Sequence, residues 1–231
     1  MELRWLEFSQ IRFSLTGRIN HPASLLQGKV RSNIEKHFSS FRFVNTGNDL
    51  LEQSGVLALA KNPEAYRHLS MQFENREVSK TYHAVVDGIH SFQEKSVEAS
   101  ILKLNDGTVK ISKEGKPALT YFTTKDTYKA HTLVECHPIT GRMHQIRIHL
   151  RLLKAPITGD EVYGGKPFFV SSVKRGFNLK KEAEEAPLIK RMALHAFSLE
   201  FALLNHETVK IVAPYPKDFQ ALVKQLSENR R

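Results

Sequence analysis

The sequence predicts an α+β fold on a mixed, mainly antiparallel sheet with flanking helices. Two observations carry this. Strand-like runs outnumber helical ones along the chain, and the two kinds are interspersed rather than alternating regularly as βαβ units would. In addition, Asn105-Asp106-Gly107 separates two strand-like runs and suits a tight hairpin, because Asn and Gly accept positive φ.

The first 50 or so residues carry few element signals. Gly17, Asn20-His21-Pro22 and Gly28 mark turns, and Ser32 and Glu35 are spaced as a capping box for a short helix to Phe41. From Gly55 the pattern clears. Gly55 to Ala60 reads as a buried strand. Asn62-Pro63-Glu64 starts a helix, with Asn as N-cap and Pro at the first helical position; Ala65, Leu69 and Phe73 carry it to Asn75. Val78 to Val86 alternates as a strand, with Lys80, Tyr82, Ala84 and Val86 on one face. Val97–Leu104, Thr108–Ser112, Ala118–Thr124 and His131–His137 read as strands. Thr140 is placed to cap a helix running to Leu153, with Met143, Ile146, Leu150 and Leu153 on its apolar side. Met192 to Leu204 and Glu207 to Val212 read as strand, and Lys217 to Asn229 as a closing helix. We divide the chain into an atypical N-terminal segment, 1–54, and a main domain, 55–231.

Hydrophobic residues make up 41% and charged residues 25%, as in ordinary globular proteins. No run approaches the roughly 18 apolar residues of a membrane helix, and the N-terminus lacks the pattern of a secretory signal. A single cysteine, Cys136, excludes an intrachain disulfide and leaves the cytoplasm as the expected compartment. The net charge of +10 points to a polyanionic partner, nucleic acid first. Arg142, Arg147, Arg151 and Lys154 lie between Pro138 and Thr158 with no carboxylate among them, as a phosphate-tracking groove requires. A second basic cluster runs from Lys174 to Arg191.

The segment His137 to Leu150 carries most of the chemistry. At 100° per residue, His144, Arg147 and Arg151 border the apolar stripe, Arg147 closest. An arginine there needs a carboxylate or phosphate partner, since its charge cannot be removed. A structural ion pair, or a solvated face whose arginines snorkel, is the competing reading. Metal is not expected: His144 and His149 diverge on a helix, and there is neither His-Glu-x-x-His nor a cysteine cluster. Cys136 and His137, adjacent on a strand, point to opposite faces and form no dyad.

The literal strings go further. Pro138-x-Thr140-Gly141-Arg142-x-His144-Gln145-Ile146-Arg147-x-His149-Leu150 resembles the C-terminal signature of RluA-type RNA pseudouridine synthases. So do Gly159-Asp160-x-x-Tyr163-Gly164-Gly165, Ala193-Leu194-His195-Ala196, Phe73-x-x-Arg76-x-Val78-x-Lys80-x-Tyr82-x-Ala84 and Ser54 to Lys61, all in family order. The resemblance implies the pseudouridine synthase fold with a central cleft, and a cofactor-free isomerase that flips a uridine out of rRNA or tRNA. It gives Tyr82 the role of aromatic hydroxyl at the base and Arg147 that of partner to a catalytic carboxylate. Lys80, Arg142, His144 and Gln145 become substrate-binding residues. RNA is the expected partner, and a monomer the default state.

One motif departs from the pattern. The family carries its aspartate in His-Arg-Leu-Asp-x-x-Thr-Ser-Gly; this chain has Gly47-Asn48-Asp49-Leu50-Leu51-Glu52-Gln53-Ser54-Gly55. Aligned without a gap, Leu50 takes the aspartate position. Either a one-residue bulge brings Asp49 into place, with Glu52 a weaker substitute, or the carboxylate is missing and the chain is a non-catalytic RNA-binding relative on the same scaffold.

Overall fold

In a computed structural model of the protein, residues 53–60, 62–178 and 184–230 are described, Leu59 by its backbone alone, together with the backbone of strands 4–8, 11–16 and 42–43. The elements are β1 (Arg4–Phe8), β2 (Ile11–Thr16), β3 (Arg42–Phe43), β4 (Ser54–Ala60), α1 (Pro63–Glu74), β5 (Ser79–Asp87), β6 (Lys95–Glu98), β7 (Ile101–Lys103), β8 (Val109–Ile111), β9 (Leu119–Thr127), β10 (His131–Pro138), α2 (Gln145–Leu152), β11 (Leu194–Ala202), β12 (Thr208–Val212) and α3 (Lys217–Glu228). The expected helix at Ser32–Phe41 lies outside the described residues.

The main sheet runs β1-β2-β4-β11-β5-β10-β9-β6, with β12 beside β11 and β3 beside β4. Its pairs are antiparallel except β4 with β11, which is parallel. The α+β, mainly antiparallel expectation therefore holds. β7 and β8 form a separate two-stranded hairpin, closed by the Asn105-Asp106-Gly107 turn with Gly107 at φ +85°. The single strand expected over Val97–Leu104 is two short ones. β6 pairs with β9, and after Ala99-Ser100 the chain leaves that ladder and pairs with β8 instead.

Helix α1 begins as its sequence dictates: the Asn62 side chain accepts the Ala65 N–H at 2.8 Å, and Pro63 needs no donor. It buries Ala65 and Leu69 against Ala58, Ala60, Leu199 and Phe201. The start of α2 corrects the sequence reading. Thr140 is not its cap; the helix opens five residues later, after His144 in the left-handed region at φ +51°. The Gln145 amide does the local bonding. Its oxygen accepts the Arg142 N–H at 3.0 Å and the Thr140 hydroxyl at 2.6 Å, and its nitrogen donates to Leu119 O and Thr120 Oγ1, both at 2.9 Å. Gln145 thereby ties the α2 entry to β9.

The period-two alternation of the strands divides the sheet into two faces. On one, α1 lies over β4 and β11 and α2 over β10 and β9, leaving a cleft between them. On the other, α3 packs Phe219 against His195 and Tyr215. This second face holds His83, buried and stacked on Phe197 at 4.0 Å, with Nδ1 against Tyr215 Oη at 2.6 Å and Nε2 against Glu135 at 3.1 Å. Glu135 also binds Lys125 and His137, and these partners hold its carboxyl down at about 2 despite partial burial. Cys136, opposite Tyr82 on β10 and so not on this face, is fully buried in the main core, its thiol pushed up by desolvation, and is a packing residue.

His195 defines a pH liability of this face. Its Nε2 lies 3.0 Å from Ala213 O, which only accepts, so Nε2 carries the hydrogen and Nδ1 accepts the Ser54 hydroxyl at 2.8 Å. Burial lowers its pKa to about 4. Between pH 6.5 and 4 the unfolded chain therefore binds a proton that the folded chain does not, and stability falls as pH falls through that window. The expected loss is about 3 kcal/mol from this group. Urea unfolding at pH 7 and pH 4.5 measures it, and His195→Gln is expected to flatten the pH slope while lowering stability at pH 7.

Candidate active site

The cleft encloses about 940 Å³. Its floor is β4, β11 and β5, and its walls are α1 on one side and the 138–147 segment on the other. Lys80 and Tyr82, two residues apart on β5, both face it, as the alternation predicted. β11 presents Leu194, Ala196 and Leu199. Gly55 makes this floor tight. It sits at φ +129° in parallel register with Ala196, and a Cβ there would fall 2.2 Å from Ala196 O.

Arg147 lines the cleft yet is almost wholly buried, at 3% exposure. Its partner is Asp160, whose carboxylate takes a two-pronged bond: Nε donates to Oδ2 at 2.8 Å and Nη2 to Oδ1 at 2.7 Å. The guanidinium also lies 4.9 Å from the centroid of Tyr163, a cation–π contact. Tyr163 is fixed in turn: its hydroxyl accepts the Val109 N–H at 3.2 Å and meets His144 Nδ1 at 2.7 Å. A fork and a ring thus fix both the direction and the plane of the guanidinium.

The loop that brings Asp160 under Arg147 is itself tightly held. Thr158 N–H bonds Val85 O at 2.9 Å, its hydroxyl bonds Asp87 at 2.7 Å, and Gly165 N–H returns to Asp160 O at 2.8 Å. A Cβ on Gly165 would fall 1.8 Å from Ile157 O, so only glycine closes this turn.

Lys80, Tyr82, Arg142, His144, Gln145 and Arg147 all line the one cleft. Gln145, expected to bind substrate, is buried and spends its amide on the protein scaffold. Arg142 donates its Nε to Pro117 O at 3.2 Å on the cleft rim. Arg151, which the helical wheel set beside Arg147, is exposed and is not among the cleft-lining residues. Asp49, Leu50 and Glu52 lie outside the described residues. Sequence reasoning quoted Asp160 and Tyr163 within a motif but gave them no role. One signal was available for Asp160: it is the first carboxylate after Arg147 in a stretch otherwise rich in cations.

Lys80 is satisfied poorly. Its Nζ makes one long bond, to Thr140 O at 3.4 Å, and lies 6.0 Å from the Phe73 ring; no carboxylate among the described residues is within salt-bridge distance. Desolvation lowers its pKa to about 8.

The fold recurs in known proteins. The family model for RNA pseudouridylate synthase matches residues 52–152. Ribosomal large subunit pseudouridine synthase C of Haemophilus influenzae is 35% identical over 184 residues, which are 78% of this chain and 53% of that protein. The Escherichia coli protein of the same name is 35% identical over 184 residues, 78% of this chain and 54% of that protein. The chain spans about half the length of these curated relatives. Among solved structures, human RNA pseudouridylate synthase domain containing 1 shares the fold with a TM-score of 0.68 at 24% identity, over 98% of this chain and 95% of that one. Human RNA pseudouridylate synthase domain containing 4 gives 0.67 at 19%, over 96% and 92%. The chain belongs to the RNA pseudouridylate synthase family, in its RluA-type branch.

Two predictions follow from this geometry. Asp160→Ala strands a buried guanidinium and is expected to cost about 3–5 kcal/mol in urea unfolding. Adding Arg147→Met should recover part of that loss; a double mutant less stable than Asp160→Ala alone would mean the pair is not the coupled unit. For Lys80, the ammonium is present below pH 8 and lost above it. Affinity for a phosphate-bearing ligand in the cleft is therefore expected to fall about tenfold between pH 7 and 9, the scale of one charge-assisted bond. Fluorescence anisotropy with labelled single-stranded RNA measures this, and Lys80→Arg should remove the pH dependence.

Proposed function

We propose that this chain is an RNA pseudouridine synthase that converts a uridine in RNA to pseudouridine without a cofactor. The observation that carries the reading is the Arg147 guanidinium, desolvated, held by Asp160 and facing the cleft that Tyr82 also lines. A cation fixed in that way is suited to hold a carboxylate ionised and aimed beside a sugar.

In this reading the target uridine leaves its stack and enters the cleft. A carboxylate, assigned to Asp49 on the motif alignment, acts at the ribose, either by attacking C1′ or by removing a sugar proton. The C1′–N1 bond breaks, the uracil turns, and C1′ bonds to C5, with the carboxylate displaced from C1′ on the first route or returning the sugar proton on the second. The C5 proton then leaves and N1 is protonated, so the reaction is an isomerisation. Tyr82 stacks on the base and handles the C5 proton. His144 and Arg142 stand at the rim of the cleft and Lys80 inside it, where they meet the RNA, while Gln145 holds the wall that carries them. The names of the relatives make large-subunit ribosomal RNA the first substrate to test and transfer RNA the second, with the cytoplasm as the workplace.

Tritium release from C5-labelled uridine in transcribed ribosomal and transfer RNA tests the assignment. The natural chain should release tritium from at least one of them. Arg147→Ala and Asp49→Asn should slow release by roughly 10²–10⁴-fold, and Tyr82→Phe should slow it comparably. No release from any RNA overturns the enzyme reading. Release unaffected by Asp49→Asn transfers the carboxylate role to another residue.

A further inference from the structure

The cleft extends well beyond Tyr82 and Arg147. Its volume stands at the upper end of the roughly 300–1,000 Å³ of small-molecule sites, and its far half is walled by α1. Tyr66, Ser70 and Phe73 recur there at spacings of four and three, so one face of the helix presents two aromatic residues to the cavity. Between that face and the Tyr82 end stands Lys80, its ammonium 6.0 Å from the Phe73 ring. Lys80 and Tyr82, at i and i+2 on an extended strand, are roughly 6.6 Å apart along the chain, on the order of one nucleotide step in an extended RNA strand. The Gly141 side of the ammonium is open, since a Cβ built there would meet only Nζ, at 4.0 Å. Arg76, Lys103 and Arg142 also line the cleft, and Glu74 is the one carboxylate lining it among the described residues.

From this arrangement we infer that the cleft holds a second nucleotide subsite: the base next to the target uridine stacks on Phe73, and the phosphate linking the two binds Lys80. The inference rests on the RNA-modifying reading and names two contacts within it. A ring with a cation beside it is the general device for holding an unstacked base and its backbone. The ammonium makes one long bond in a desolvated position, and a phosphate oxygen would complete its coordination.

Short synthetic probes separate the two contacts, with binding to the full chain followed by NMR titration. The probes are uridine 5′-monophosphate, the dinucleotide UpU, the same dinucleotide without its neighbouring base, and UpU with a neutral methylphosphonate link. The neighbouring base should tighten binding by roughly 5- to 150-fold, the range of one aromatic stack. Phe73→Leu keeps most of the helix packing but removes the ring; it should abolish that gain without changing the affinity for the monophosphate, and Phe73→Tyr should restore it. Lys80→Met should abolish the difference between the charged and neutral links. Equal binding of UpU with and without the second base in the natural chain overturns the inference, as does an equal effect of Phe73→Leu on all four probes. Neither outcome depends on turnover, so a failed tritium assay and a failed subsite remain distinguishable.

Discussion

The Arg147–Asp160 pair is the constraint around which the cleft is arranged. Taking a guanidinium and a carboxylate out of water costs several kcal/mol each, and their attraction repays this only with near-ideal geometry. Two bonds of 2.7 and 2.8 Å provide that geometry. The neighbouring structure serves the same end. The β5 carbonyl of Val85 and the Asp87 carboxylate hold the loop that presents Asp160, and Tyr163 covers the guanidinium plane. A hydrophobic pair of similar volume would serve stability as well or better. The retention of a charge here therefore argues for use of that charge in the cleft it lines.

The sheet separates packing from chemistry by alternation alone. On β5, Tyr82 turns to the cleft and His83 to the opposite layer. On β11, Ala196 turns to the cleft and His195 to the α3 side. The second layer closes its polar groups among themselves, through Ser54–His195–Ala213 and Tyr215–His83–Glu135. This matters to the site because those bonds fix the strands in register. The close contact of Gly55 with Ala196 then sets how near β4 runs to β11, and so how deep the cleft floor lies.

Much of this was legible in the sequence, for physical reasons that can be named. Asn62-Pro63 is a local signal, complete within one turn of helix, and α1 begins there. The Lys80–Tyr82 face follows from a period of two that tertiary packing does not change. The start of α2 was misread because Thr140 has the chemistry of a cap while Gln145, five residues on, takes the bonds; that competition is decided by Leu119 and Thr120 on β9, distant in sequence. The strand at Val97–Leu104 splits because its halves answer to different partners, β9 and β8. Asp160 has no local signal of its role, because its pairing with Arg147 spans 13 residues of chain and a loop closed by Gly165. The assignment of Asp49 rests on the motif alone.

Two cations of the cleft, one buried and one half-buried, show what distinguishes a scaffold charge from a capturing one. Arg147 and Lys80 are both desolvated and both line the same cavity. Arg147 keeps its charge at any accessible pH and is met by a carboxylate of matching shape, so its position is fixed before any ligand arrives. Lys80 has a single long bond to a carbonyl, and its proton is held loosely, with a pKa near 8. An ammonium left in that state is a cost to the folded chain, one that a phosphate in the cleft would remove. The fixed cation suits an arriving group that must be aimed, and the poorly satisfied one suits a group that must be captured. A polymer with one reacting sugar and a charged backbone presents both.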